Sequence, residues 1–238
     1  MTESQSLPII LVPGLLGSPR LYAEQIPALW RVGPVTVATH TQDDSMGGIA
    51  KRILASAPAR FALAGLSMGG YVCFEILRQA PKRVAKLMLL DTSARPDAPE
   101  QSAQRRLQIE MARTTGRLGE IVDGLFPRLV HARRWGDESL RRICRAMEQE
   151  VGVEGFINQQ TAIMGRPDSR PRLAAIRCPT LVIVGDSDVL TPPERAEEIA
   201  NGIPDARLRV IRDSGHLSTL EQPTAVTRSM VEFLNSSG

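Results

Sequence analysis

The hexapeptide Gly65-Leu66-Ser67-Met68-Gly69-Gly70 constrains this chain more than any other stretch. It has the spacing G-x-S-x-G, follows the apolar run Phe61-Ala-Leu-Ala-Gly-Leu and leads into residues 71–79, which read as a helix. A strand that passes into a helix through so short a turn crowds the backbone two positions before and two after the serine. Glycine costs least there. Such a turn lifts the Ser67 hydroxyl above the end of a sheet. It also leaves the Met68 N–H at a helix start, aimed toward developing negative charge. Two other readings compete: a tight turn whose small residues serve packing alone, and a phosphate-cradling loop. The loop lacks the Lys-Ser/Thr pair of a Walker motif and the G-x-G-x-x-G spacing of a dinucleotide site.

Strands and helices alternate around this turn. Residues 7–12, 32–38, 61–66 and 84–90 are short, apolar and rich in β-branched or leucine positions, as strands buried on both faces require. Residues 20–30, 45–57 and 71–79 carry helical spacing, with Ser45 as a cap. Short links between them predict an α/β fold with a mostly parallel central sheet flanked by helices. From Arg95 the period changes. Helices are expected over 100–114, 118–130, 137–148 and 154–164, with no convincing strand. The alternation returns with a strand over 180–184, a helix over 192–200, a strand over 206–211 and a last helix between His216 and Leu234. The expected organisation is a core of residues 1–94 and 178–238 interrupted by a helical cap, residues 95–177.

Composition narrows the function. The 29 basic and 26 acidic residues leave a net charge of +3, too near neutral to argue for nucleic acid. Residues 95–177 hold 15 arginines and 11 acidic residues, so the positive bias sits in the middle of the chain. It reads as a solvated helical surface or as steering of anionic substrates. No apolar run approaches the roughly 20 residues of a membrane span. The N-terminal stretch lacks a basic region and its apolar run breaks at Pro13-Gly14, so no secretory signal is readable and a cytoplasmic location is expected. Cys73, Cys144 and Cys178 are far apart and read as free thiols. His40, His131 and His216 form no compact ligand set, so neither a metal nor a cofactor is expected.

His216, in Asp213-Ser-Gly-His-Leu, follows the last expected strand directly. A histidine on such a loop can reach over the sheet end to Ser67, take its proton and later protonate the leaving group. His40 follows an earlier strand and could line the pocket, whereas His131 reads as surface or cap packing. Met68 and Leu15 are expected near the acyl site. Met111, Phe126, Trp135, Met147, Phe156 and Met164 are expected to pack the cap more often than to line a pocket.

The segments Leu11-Val-Pro-Gly-Leu-Leu, Gly65-Leu-Ser-Met-Gly-Gly, Leu89-Leu-Asp-Thr-Ser, Gly185-Asp-Ser-Asp-Val-Leu-Thr-Pro and Ser214-Gly-His-Leu together resemble the α/β-hydrolases. The likeness is to the branch of small carboxylesterases and 3-oxoadipate enol-lactonases and spans nearly the whole length. It implies Asp188 as the acid that orients His216, with Asp91 as a competitor and Asp186 structural. It also implies Leu15 N–H as a second oxyanion donor beside Met68 N–H. Two departures stand out. Pro13-Gly14 replaces the His-Gly of many relatives, and their Asp-x-Arg-Gly-x-Gly-x-Ser run is absent after His40.

The resemblance implies a serine hydrolase that cleaves carboxylic esters of small to medium acyl chains. Alternatives are a lactonase or C–C bond hydrolase acting on a carboxylate-bearing substrate, and a non-catalytic small-ligand-binding protein. The expected partners are the small-molecule ester or lactone itself and, at most, a second copy of the chain in a homodimer, with neither nucleic acid nor membrane.

Overall fold

The computed structural model describes residues 6–236. Six strands form one sheet: β1 Ile9–Val12, β2 Val35–Val37, β3 Phe61–Leu66, β4 Val84–Leu90, β5 Thr180–Gly185 and β6 Arg207–Ile211. They pair in the order β2-β1-β3-β4-β5-β6 and every pairing is parallel. All of β1, β3 and β5 is buried. Alternate side chains therefore enter cores on opposite faces. Ile9, Leu11, Ala62 and Ala64 face one side, and Ile10, Val12, Phe61 and Leu63 the other. The edge strand β6 instead shows Arg207 and Arg209 to solvent, which discourages pairing with another chain.

The helices in chain order are α1 Ile26–Leu29, α2 Met46–Ser56, α3 Met68–Gln79, α4 Pro99–Thr115, α5 Gly119–Leu129, α6 Glu138–Met164, α7 Pro193–Gly202, α8 Ser218–Glu221 and α9 Pro223–Asn235. Ser45 caps α2 as expected, its hydroxyl accepting from Gly48 N at 3.2 Å. Several boundaries differ from the sequence expectation. Residues 20–30 form no continuous helix but a 3-10 turn, Pro19–Tyr22, and the single turn α1. The second expected strand shrinks to β2, since Gly33-Pro34 precedes it and proline offers no N–H to a ladder. Helix α3 begins at Met68, three residues earlier than expected, because the strand passes into the helix at Ser67 itself.

Helices α4 to α6 lie between β4 and β5. The expected helices 137–148 and 154–164 appear as one element, α6, broken at Gly152, whose φ of 69° and ψ of 172° no helix accommodates. Phe126 and Phe156 are fully buried and Met147 nearly so, whereas Met111 and Trp135 are exposed.

Candidate active site

In a parallel sheet the loops at the carboxyl ends of the strands gather on one edge. Here those loops carry residues 13–17 after β1, Ser67 after β3, Asp91 after β4, Asp188 after β5 and His216 after β6. Ser67 has φ 55° and ψ −116°, a conformation that L side chains rarely adopt. Packing enforces it. A side chain at Gly69 would run into the Val12 carbonyl, and one at Gly65 into the backbone of Gly69 and the Cys73 sulfur. Ser67 N donates to Leu90 O at 2.9 Å and Thr92 Oγ1 to Ser67 O at 2.7 Å, so both flanks of the turn are tied to β4 and the loop after it.

Ser67 and His216 line one cavity of about 690 Å³, between the strand ends and helices α4 to α6. That size lies within the ordinary range of small-molecule sites. No hydrogen bond joins Ser67 Oγ to His216 among the described residues. His216 Nδ1 lies 2.7 Å from Asp188 Oδ2. Asp188 is almost fully buried and accepts from Leu190 N at 2.8 Å, Thr191 N at 3.0 Å and Thr191 Oγ1 at 2.7 Å as well. A group that only accepts is an ionised carboxylate, so Nδ1 carries the proton toward it and Nε2 keeps a free lone pair.

Burial alone would push the Asp188 carboxyl up, but His216 and these donors hold it below its ordinary value. Burial likewise works to lower His216. The negative charge and hydrogen bond of Asp188, reinforced by Asp91 and Glu221, outweigh it and leave His216 raised.

Asp91 is brought close to this pair but bonds elsewhere. Its Oδ1 accepts from Gly185 N at 2.9 Å, and its Oδ2 forms a short hydrogen bond with Ser218 Oγ. Burial and the neighbouring Asp188 charge push its carboxyl up to about 8. Asp186 orders the loop as expected, accepting from Asp213 N at 3.1 Å and Ser214 N at 3.3 Å. His131 caps a 3-10 turn, with Nδ1 accepting from Arg133 N. His40 is buried beneath the turn after β1 instead of lining the cavity, with Nε2 2.9 Å from Gly14 O.

Leu15 lines the cavity. The Met68 side chain does not: it is fully buried in the core with Val12 and Val72, which corrects the expectation that it lies near the acyl site. A side chain on the first turn of α3 is carried into the sheet-facing core while its N–H stays at the helix start. Among the described residues neither Leu15 N nor Met68 N donates to the protein.

A family model described as alpha/beta hydrolase fold matches residues 49–223. The chain belongs to this family. A thermophilic esterase from Thermogutta terrifontis shares 33% identity and a TM-score of 0.86, over 96% of this chain and 89% of that one. The enol-lactonase from Burkholderia xenovorans LB400 shares 26% identity and a TM-score of 0.88, over 99% of this chain and 94% of that one. A putative carbamate hydrolase, RutD, from Rhizobium rhizogenes is 26% identical over 96% of this chain and 92% of its own length. The chain is a hydrolase of the α/β fold with esterase and lactonase relatives. No helix among the described residues is long and apolar enough to cross a membrane.

In this α/β-hydrolase, sequence reasoning missed Thr191, which bridges Asp188 and His216 from within the Asp188-Val-Leu-Thr-Pro stretch. It also missed Ser218, two residues past His216, and the partner of Asp91.

Asp91→Asn keeps an acceptor for Gly185 N and gains a donor for Ser218, so it mimics the neutral acid. An acid raised on folding holds its proton in the native state while the unfolded chain releases it. Native stability therefore falls as pH climbs from the ordinary aspartate range toward about 8. Relative to wild type, the Tm of Asp91→Asn is expected to rise with pH over that window and then level off. A Tm difference independent of pH would contradict this assignment.

Proposed function

We propose that this hydrolase is a serine carboxylesterase acting on small to medium acyl chains, with Ser67 as nucleophile, His216 as base and Asp188 as its orienting acid. The observation that carries this reading is the buried 2.7 Å contact between His216 Nδ1 and Asp188, with His216 and Ser67 on one cavity wall. With Nδ1 engaged, Nε2 faces the work. Ser67 Oγ attacks the acyl carbonyl, Nε2 takes its proton, and the imidazolium is stabilised by Asp188. Leu15 N–H and Met68 N–H take the oxyanion. The imidazolium then protonates the leaving alcohol, and water repeats the sequence on the acyl-enzyme. Helices α4 to α6 act as the lid over this site, and residues 95–177 form the cap.

A second reading, hydrolysis of a carboxylate-bearing ester or lactone, is favoured by the cavity wall. Arg95, Arg105, Arg128, Arg166 and Arg195 line it against one acidic residue, Glu100. Asp97 is shared by two of these guanidinium groups, at 2.7 Å from Arg105 and 2.6 Å from Arg166, and so neutralises only one of them, while Glu198 neutralises Arg95 at 2.8 Å. The Burkholderia relative is an enol-lactonase, which supports this second reading.

One experiment tests both. Hydrolysis of p-nitrophenyl esters from C2 to C12 is measured beside matched half-esters of dicarboxylic acids, with Ser67 labelling by a fluorophosphonate read by mass spectrometry. Labelling at Ser67 with turnover of neutral esters is expected. A preference for half-esters that fades with added salt would move the assignment to the carboxylate-bearing class. No label on Ser67 would sink the serine mechanism and leave a small-ligand-binding protein.

A further inference from the structure

The loop that supplies Leu15 N–H is not held by the residue that many relatives place beside it, since Pro13 stands there. It is held from outside. Gly14 O and Leu15 N–H belong to one peptide plane, and the described chain has no cis peptide, so the two groups point in opposite directions. Gly14 O is tied down twice, by Gly17 N at 2.9 Å and by His40 Nε2 at 2.9 Å. A carbonyl only accepts, so His40 carries its proton on Nε2. Fixing the carbonyl fixes the N–H on the other side of the plane.

The next N–H along, from Leu16, donates to Gln159 Oε1 at 3.0 Å. Leu16 has φ 58°, a left-handed conformation that a leucine does not hold unaided. Gln159 is fully buried on α6, which lies between β4 and β5 in sequence and 143 residues from Leu16. Its amide nitrogen sits 3.1 Å from His40 Nε2. Two nitrogens that both carry protons gain nothing there, so the bond to Leu16 is what the amide contributes. The same stretch of α6 docks on the neighbouring loop, where Asn158 Nδ2 donates to Thr41 O at 3.0 Å.

We infer that Gln159 is a positioning residue: through Leu16 N–H, with His40 on Gly14 O, it aims the Leu15 N–H at the oxyanion. This rests on Ser67 being the nucleophile, and it adds that the inserted helices do more than enclose substrate.

The test uses Gln159→Met, Gln159→Glu and Asn158→Ala in the full chain, with p-nitrophenyl butyrate as substrate and butylboronic acid as the tetrahedral mimic. Losing one oxyanion donor outright costs about 10²- to 10³-fold, so misaiming it should cost about 10- to 100-fold in kcat with KM nearly unchanged. The boronate inhibition constant should rise by the same factor, while inhibition by the product butyrate, which carries no tetrahedral oxyanion, should not move. Gln159→Glu keeps an acceptor for Leu16 N–H and should recover most of the rate. Asn158→Ala removes a docking bond on the same helix without touching the turn, and should leave the boronate constant in place.

Should Gln159→Met not fold, Gln159→Asn, one methylene too short to reach, takes its place with the same expectation. Equal boronate affinity in wild type and variant overturns the inference while leaving the serine mechanism standing. So does a loss that appears wholly in KM, or one that Asn158→Ala reproduces. Failure of the boronate to inhibit wild type, together with no Ser67-dependent turnover, overturns both.

Discussion

Ser67→Ala is expected to lower kcat on a p-nitrophenyl ester by about 10⁵- to 10⁶-fold, the scale seen when a nucleophilic serine is removed from a hydrolase triad. The loss should be confined to chemistry. The Ser67 side chain caps nothing at the start of α3, and its backbone is held by Leu90 O and by Thr92 Oγ1. Alanine inherits the same φ of 55° and the same crowding from Gly65 and Gly69, so the turn keeps its shape and its strain. The variant should melt within a few degrees of wild type and bind product acid normally. The residual rate belongs to whatever the Leu15 and Met68 N–H groups still do for attack by water. Turnover within tenfold of wild type would mean that the attacking group is not Ser67, and the cavity would need a different account.

The chain was most legible where one local rule had a single solution. The strand Phe61–Leu66, the serine turn and the strand Val84–Leu90 followed from short apolar runs, the second broken only by Lys86, as strands buried on both faces require. The kinked α6 was readable as two helices because Gly152 interrupts an otherwise unbroken helical period.

What failed was local competition between signals. Residues 20–30 have helical spacing, but only two short turns form, with Pro19 and Pro27 each in a first turn. Being next to Ser67 in sequence says where the Met68 N–H goes, not where its side chain goes. The supports of the site were hidden for another reason. Gln159 is one glutamine among several on the helical segment, and nothing in its vicinity distinguishes it. Its significance depends on meeting Leu16 across 143 residues. Asp91 and Asp188 both follow strands and both carry a carboxylate, so the sequence ranks them only through resemblance. Their hydrogen bonds separate them: Asp188 contacts His216, whereas Asp91 contacts Gly185 and Ser218.

Asp188→Asn turns that difference into a second large effect. The amide keeps an oxygen for Leu190 N and Thr191 N, so the loop after β5 should retain its fold. Its nitrogen then occupies the position that faces His216 Nδ1 and Thr191 Oγ1, both donors in the wild type. The imidazole relieves that clash by moving its proton to Nε2, the atom that accepts from Ser67 in the proposed mechanism, and kcat should fall about 10⁴-fold.

The pH profile carries the sign. A base must be neutral to work, so the raised His216 value places the acid limb of wild-type kcat/KM above the ordinary histidine range. Burial pulls His216 down, and Asp188 is the largest of the opposing influences. Removing its charge should move the acid limb of the residual activity to lower pH. Asp91→Asn replaces a carboxyl already neutral below about 8 and removes no contact to the ring, so it should retain turnover within a few-fold and leave the limb nearly in place. An Asp188→Asn enzyme with near-wild-type turnover and an unmoved limb, set against a crippled Asp91→Asn, would transfer the orienting role to Asp91.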